Sequence, residues 1–249
     1  MHSSLAGKRI IVTRPRHQSE KMCRMLEERG AVALEFPTIR IESASNPRPL
    51  LDALAKLDTF DRVIFTSANG VLHTWQYLHH PWPESVSVAA IGPATASALR
   101  ARNVIPDFVP SEYIAEELAR GLGPVRNQNI LLLRASKARP VLTELLHAGG
   151  AEVTNVTAYE TQVNQPSSTA YAELEYGTDA VTFTSGSTVE GFVAVSPDSD
   201  IPVTAACIGP VTAQAATEAG FNVAVIAKTY TTEGLVAALE NYFEQPEQI

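Results

Sequence analysis

Short apolar runs alternate with amphipathic stretches along the chain. Arg9-Ile10-Ile11-Val12-Thr13 reads as a short buried strand, with Arg14-Pro15-Arg16 as the loop after it. Ser19 to Arg29 then places Met22, Met25 and Leu26 on one helical face and stops at Gly30. Ala31 to Phe36 predicts a second strand, and Pro37 to Glu42 continues it in extended form. Pro47 to Leu57 carries Leu50, Leu54 and Leu57 at helical spacing. Arg62-Val63-Ile64-Phe65 is strand-like, and Val71, Leu72, Trp75 and Leu78 mark the buried face of the next helix. Val86 to Ile91 predicts a strand ending in Gly92-Pro93-Ala94-Thr95, with a helix to about Arg102. Val104 to Val109 reads as a strand and Tyr113 to Leu122 as a helix.

The second half repeats this order. Asn129 to Leu133 predicts a strand followed by a loop at Arg134-Ala135-Ser136, then a helix with Val141, Leu142, Leu145 and Leu146, stopped by Gly149-Gly150. Val153 to Val163 is one long strand, and Thr169 to Tyr176 a helix. The strand Ala180-Val181-Thr182-Phe183 leads into Thr184-Ser185-Gly186-Ser187-Thr188, and Val203 to Ile208 leads into Gly209-Pro210-Val211-Thr212. Phe183-Thr184-Ser185 stands 118 positions after Phe65-Thr66-Ser67, Arg134 stands 120 after Arg14, and both Gly209 and Tyr230 stand 117 after Gly92 and Tyr113. Matching loops in matching order at nearly one offset imply a duplicated unit with small insertions.

Strands alternating with amphipathic helices imply parallel sheets covered on both faces. Ligands of such sheets sit at the carboxyl ends of the strands, where the repeated loops fall. Two such domains facing each other would form a cleft between two half-sites. The extended segments Phe36 to Ile41 and Val156 to Val163 fit connectors at the junction.

The 249 residues, 45% hydrophobic and 18% charged, suit one large or two modest domains. A formal charge of −8 argues against a general nucleic-acid binder but leaves room for an anionic small ligand. Cys23 and Cys207 show no disulfide pattern and read as reduced core thiols. With no signal-like start and no run long enough for a membrane span, the expectation is a cytoplasmic, membrane-free protein, monomeric by default.

Phosphate-binding, dinucleotide, zinc-protease and nucleophile-elbow motifs are missing, and the six histidines show no ligand spacing, so neither a cofactor nor a metal is expected. Thr66, Ser67, Asn69, Thr184, Ser185 and Ser187 lie where strands hand over to helices. They suit helix capping, and their repetition favours anion binding as well. Thr95 and Thr212, after the Gly-Pro turns, carry the same two readings. Arg14 and Arg134 read equally as carboxylate-binding groups or as surface ion pairs. Tyr159, in an extended run, reads from its residue type as a packing residue.

Taken in order, Thr13-Arg14-Pro15, Phe65-Thr66-Ser67, Ile91-Gly92-Pro93-Ala94-Thr95, Ala158-Tyr159-Glu160-Thr161, Phe183 to Ser187 and Ile208 to Thr212 resemble uroporphyrinogen III synthases, from about Lys8 to about Tyr242. The resemblance implies two flavodoxin-like α/β domains joined by a two-stranded antiparallel connector. Residues 1–36 and 163–249 would form one domain. Residues 37–162 would form the other, including connector strands near 37–41 and 156–162.

It also implies a cofactor-independent lyase of haem and sirohaem biosynthesis. Such an enzyme closes hydroxymethylbilane, a linear tetrapyrrole octacarboxylate, to uroporphyrinogen III with loss of water and inversion of ring D. By the same resemblance, Tyr159 assists water loss, overturning the packing reading. Thr66, Thr95, Ser185, Ser187 and Thr212 would bind acetate and propionate groups, and hydroxymethylbilane synthase would be a transient partner. Two rival classes remain: a non-catalytic two-domain binder of a small anion, and a two-domain glycosyltransferase, for which no nucleotide-phosphate loop is evident.

Overall fold

A computed structural model of the chain describes residues 4–196 and 204–244. In chain order the strands are β1 (Arg9–Val12), β2 (Val32–Glu35), β3 (Ile39–Ser43), β4 (Arg62–Phe65), β5 (Ser87–Ala90), β6 (Asn129–Ala135), β7 (Glu152–Val163), β8 (Ala180–Phe183), β9 (Thr204–Cys207) and β10 (Val223–Ile226). The helices are α1 (Arg16–Glu27), α2 (Arg48–Leu54), α3 (Ala68–Thr74), α4 (Pro93–Arg100), α5 (Ala115–Gly121), α6 (Val141–Ala148), α7 (Ser168–Leu174), α8 (Gly186–Val195), α9 (Pro210–Glu218) and α10 (Thr232–Glu244). Val203, expected to open β9, lies outside the described residues. The chain divides into two compact units, Met1–Arg40 with Gln162–Ile249, and Ile41–Thr161.

The first unit is built on a sheet of order β10-β9-β8-β1-β2. Its neighbouring strands run parallel. On one face Met22 and Leu26 of α1 and Leu235, Val236 and Leu239 of α10 pack with Ile10, Val12 and Ala206. On the other, Val189 and Phe192 of α8 and Ala213 and Ala216 of α9 pack with Ile11, Val181 and Phe183. Alternate strand residues thus feed two cores, as a sheet covered on both faces requires. Cys23 and Cys207 are free and buried in these cores, and burial pushes both thiols up to about 12.

The second unit has the order β3-β7-β6-β4-β5. The pairs β4–β5, β4–β6 and β6–β7 are parallel. Helices α2, α3 and α4 cover one face through Leu50, Val71 and Leu99, against Val63, Phe65 and Leu131. Helices α5 and α6 cover the other through Leu118, Leu142 and Leu146, against Ile64, Ile130 and Leu132.

The duplication extends to strand register. Ile11 pairs with Leu34 and Val181 in the first unit; the corresponding Leu131 pairs with Thr154 and Val63 in the second. Val181 pairs with Ala205 as Val63 pairs with Val88. Each sheet therefore combines the opening strands of one repeat with the closing strands of the other.

Several expectations are corrected. Val104 to Val109 is not a strand: Phe108 makes a single parallel bridge to Ala89, at the place where β10 stands in the first unit. Pro106 and Pro110 bracket this bridge and have no N–H to extend a ladder. The carboxylate of Asp107 instead accepts the Val88 N–H at 2.6 Å, while the Asp107 N–H donates to the Val88 carbonyl at 2.8 Å. Leu72 is 43% exposed rather than buried, because it is rotated about 100° from Val71 on α3; Thr74 takes the inward position. Arg134 and Ala135 lie on β6 rather than in a loop, since β6 is prolonged by its pairing with the long β7. The helix expected over Pro47 to Leu57 ends at Leu54, with a short 3₁₀ turn at Leu57–Thr59.

No helix among the described residues is long and apolar enough to cross a membrane, and no group of three or more His, Cys, Asp and Glu among them is arranged to hold a metal.

Candidate active site

At the carboxyl end of β4, the chain turns through Thr66 and Ser67 into α3. Ser67 is extended, at φ −159° and ψ 155°, and its Oγ accepts the Gly70 N–H at 3.1 Å as the N-cap. The same hydroxyl donates to the Tyr159 Oη at 2.9 Å. A serine hydroxyl has one proton and two lone pairs, so capping and donation are compatible. The Tyr159 proton is thus left for a further acceptor.

Tyr159 reaches this position through a register irregularity in β7. Arg134 pairs with Thr157, but the next residue, Ala135, pairs with Tyr159, so Ala158 is extra. A bulge re-aims the side chains after it. Accordingly Ala158 and Tyr159, although consecutive, both join the core that contains Leu131 and Leu133. The Tyr159 ring, 7% exposed, stacks on His73 with centroids 5.7 Å apart and planes at 23°. Burial raises the phenol above its ordinary value, while hydrogen bonds from Ser67 and Asn69 and the charge of Arg134 act in the opposite sense. The phenol is a neutral acid at physiological pH with donors in place to receive its anion.

Arg134 is buried, with 8% of its surface exposed. Its Nη1 donates to Thr143 Oγ1 at 3.2 Å and its Nη2 to the Arg139 carbonyl. Its Nε is buried with no hydrogen-bond partner. Burial, and then the charge of Arg139, lower its pKa, whereas Tyr159 raises it.

The first unit holds the corresponding residues in a different local arrangement. Ser185 caps α8 by accepting the Thr188 N–H at 3.3 Å. The Thr188 hydroxyl accepts the Ser185 N–H at 3.2 Å, closing a capping box. The same hydroxyl accepts the Thr184 N–H at 3.2 Å. Position 39, which corresponds to Tyr159, is Ile39, so this unit carries no phenol there. Arg14 donates from Nη1 to Thr232 Oγ1 at 2.9 Å and from Nη2 to Gln18 Oε1 at 3.4 Å, and its Nε is buried without a partner. Burial lowers its pKa, opposed by Glu233.

The residues singled out from the sequence are thus partly assembled. Ser67, Asn69, Tyr159 and Arg134 share one cluster in the second unit, whereas Ser185 and Arg14 make separate local bonds in the first. Thr66, Thr184 and Ser187 are half-buried in the strand-to-helix turns. Thr95 and Thr212 are buried in the first turns of α4 and α9, where each helix begins at a Gly-Pro pair. The glycines have a steric reason: a Cβ on Gly92 or Gly209 would lie 3.3 Å from the ring of Tyr113 or Tyr230, and Gly92 also has φ +81°. The surface ion-pair reading of Arg14 and Arg134 is overturned, since neither joins an ion pair among the described residues. His73, Thr143 and Thr232 were not singled out. His73 had a signal, standing four residues after Asn69 on the same face of α3.

The family model for uroporphyrinogen-III synthase HemD matches residues 20–237. A uroporphyrinogen-III synthase of Synechococcus elongatus is 33% identical over 97% of this chain and 97% of its own. A putative uroporphyrinogen-III synthase of Methanothermobacter thermautotrophicus is 32% identical over 92% of this chain and 96% of its own. Among solved structures, a mutant uroporphyrinogen III synthase of Thermus thermophilus aligns with TM-score 0.68 at 22% identity, covering 96% of this chain and all of that one. The Helicobacter pylori enzyme aligns at 0.61 and 18%, covering 94% and 99%. The structural likenesses speak for the fold; the family match and the sequence relatives, each spanning most of the chain, decide the lineage. The chain belongs to the uroporphyrinogen-III synthase family.

Proposed function

We infer that the protein is a uroporphyrinogen III synthase, a lyase that dehydrates and closes hydroxymethylbilane with inversion of ring D. Within that reading, the observation that carries the chemistry is the buried Tyr159 phenol held by the N-cap hydroxyl of Ser67. The phenol donates its proton to the leaving hydroxyl of the terminal hydroxymethyl carbon as the C–O bond breaks, releasing water and leaving an electrophilic N-protonated azafulvene cation opposite the Tyr159 phenolate. Ser67 and Asn69 stabilise the phenolate left behind. Ring closure at the substituted ring-D carbon gives a spiro intermediate, which fragments and recloses with the ring inverted. The proton lost as the last pyrrole regains aromaticity restores the phenol.

Thr66, Ser67, Asn69, Thr95 and Arg134 in one unit, and Arg14, Thr184, Ser185, Ser187 and Thr212 in the other, bind substrate carboxylates. Their support is their position at the carboxyl ends of parallel strands and at helix starts. A flavodoxin-like reading is supported in the first unit by strand order: renumbered within its own sheet, β2-β1-β8-β9-β10 follows the pattern 2-1-3-4-5, and β7-β6-β4-β5 of the second unit repeats its first four places. The proposed domains are residues 1–36 with 163–249, and 37–162. β3 and β7 would serve as an antiparallel two-stranded connector; their adjacency in one sheet and passage across the unit boundaries support this.

The test is to supply purified protein with freshly generated hydroxymethylbilane and separate the oxidised products by isomer. The expected result is predominantly type III product. Type I product at the spontaneous rate would reject catalysis and favour the non-catalytic anion binder.

A further inference from the structure

His73 lies against the Tyr159 phenol but takes no part in the chemistry described above. Three residues of the α3 segment face that phenol. Ser67 caps the helix and donates to Oη at 2.9 Å, and Asn69 hydrogen-bonds the same oxygen. The His73 ring stacks on the phenol ring, with centroids 5.7 Å apart and planes at 23°. Asn69 and His73 stand one turn apart on one helical face. The helix that carries them is seated closely on the sheet, since a Cβ on Gly70 would lie 3.1 Å from the Leu133 carbonyl of β6.

The phenol depends on such a platform. In a regular strand, alternation fixes the direction of each side chain. Tyr159 follows the extra residue Ala158, where the pairing of β6 and β7 shifts register, so its direction is set locally. Ser67 and Asn69 hold only the oxygen, and hydrogen bonds to Oη alone leave the ring able to tilt about that point. A flat group against the ring face removes this freedom.

The imidazole is itself fixed. Its Nδ1 lies 3.3 Å from the Oγ of Ser43 at the end of β3, and that hydroxyl donates to Gln76 Oε1 at 3.0 Å. With the single hydroxyl proton committed to Gln76, the Nδ1–H of His73 is the donor to Ser43. His73 is therefore held by its edge from β3 while its face lies on Tyr159. An aliphatic residue could fill the same space, but only a planar ring with a polar edge meets both contacts.

We propose that His73, tethered by Ser43, is a positioning residue that keeps the Tyr159 phenol in the orientation from which it protonates the leaving hydroxyl. The effect on turnover rests on the synthase reading with Tyr159 as the acid; the stacked geometry does not.

The experiment measures steady-state formation of type III product from hydroxymethylbilane, with thermal unfolding alongside. The proteins are wild type, His73→Leu, His73→Phe and Ser43→Ala, each also in the Tyr159→Phe background. Leucine keeps much of the volume without the plane, and phenylalanine keeps the plane without the tether. Ser43 is exposed, so Ser43→Ala reads the tether with the fold intact. His73→Leu should lower kcat about tenfold with KM within about twofold, because a misaimed acid costs rate and not binding. His73→Phe should recover most of that loss, and Ser43→Ala should lower kcat about threefold. None of the three should slow Tyr159→Phe further, since no phenol proton is left to aim.

A histidine that only packs would lower Tm and leave kcat unchanged, and that result overturns the proposal. A loss that persists in full in the Tyr159→Phe background also overturns it, because His73 would then act elsewhere. NMR reads the stack without turnover. The Tyr159 ring protons, assigned by their disappearance in Tyr159→Phe, should be shifted upfield by the imidazole in wild type and lose that shift in His73→Leu. Resonances that stay in place would show that the rings do not stack in solution and would overturn the proposal. Wild-type turnover by Tyr159→Phe alone would reject the acid itself, and the positioning role with it; failure of positioning alone shows instead as a slow Tyr159→Phe with an unaffected or additive His73→Leu.

Discussion

Tyr159 illustrates how one side chain's surroundings set its chemistry. Its ring is shielded by the core and by His73, while its oxygen is held by Ser67. Burial is the dominant influence and raises its pKa in the folded protein. For a group of that sign, the stabilisation is complete below the unfolded pKa, about 10 for tyrosine, and is lost as pH rises through the higher folded value. Tyr159→Phe should therefore flatten the alkaline loss of stability. Urea unfolding midpoints measured from about pH 8 to about pH 11 should converge between variant and wild type or cross in the variant's favour as pH rises. Cys23 and Cys207, pushed up to about 12 by burial, are the same in both proteins and do not affect the difference. Parallel midpoints across the range would mean that the phenol is not the buried acid described. The sequence alone assigned Tyr159 to packing, since a bulge that turns two consecutive residues to one face leaves no mark in residue type. The role proposed for it rests on the resemblance of Ala158-Tyr159-Glu160-Thr161 to the family motif. The missing partner of Arg134 Nε was equally invisible, because it depends on what fails to approach a side chain.

At the level of elements, the repeated strand-to-helix turns were the most legible feature. Ser67 and Ser185 cap α3 and α8 in corresponding positions, as small hydroxyl residues at helix starts predict. The two caps differ in their second contact: Ser67 donates to Tyr159, whereas Ser185 sits in a capping box with Thr188. Ser67→Ala and Ser185→Ala should each lower stability by about 1 kcal/mol. Turnover should fall further in Ser67→Ala, because only that change also removes a donor to the phenol. Paired denaturation curves and steady-state rates check this, and equal kinetic losses would contradict a special link between Ser67 and Tyr159. The least legible element was the segment around Phe108. Its apolar pattern reads as a strand, but Pro106 and Pro110 have no N–H to extend a ladder and the Asp107 carboxylate takes the Val88 N–H. Local pattern reports which face is apolar; it does not report which backbone groups find partners.

Across the whole molecule, the duplication visible as an offset of 117 to 120 positions reappears as identical strand registers in two sheets. The offset did not disclose that the repeats exchange halves, because sequence similarity carries no information on which strands pair. Each unit nevertheless has a core on both faces of its own sheet. The continuous segment 41–161 should therefore fold by itself, with a single cooperative melt and dispersed amide signals in NMR spectra; a molten or aggregated segment would show that its cores are insufficient alone. The duplicated scaffold is chemically asymmetric, with Tyr159 in one unit and Ile39 at the matching position of the other. The central claim is that this asymmetry places the acid for water loss in the second unit. Its most direct test is the initial rate of type III product formation by Tyr159→Phe, with the fold verified by circular dichroism. A positioned general acid contributes about 10²–10⁴-fold at most sites, and a loss of several-fold or more is expected here; a rate equal to wild type would remove Tyr159 from the mechanism.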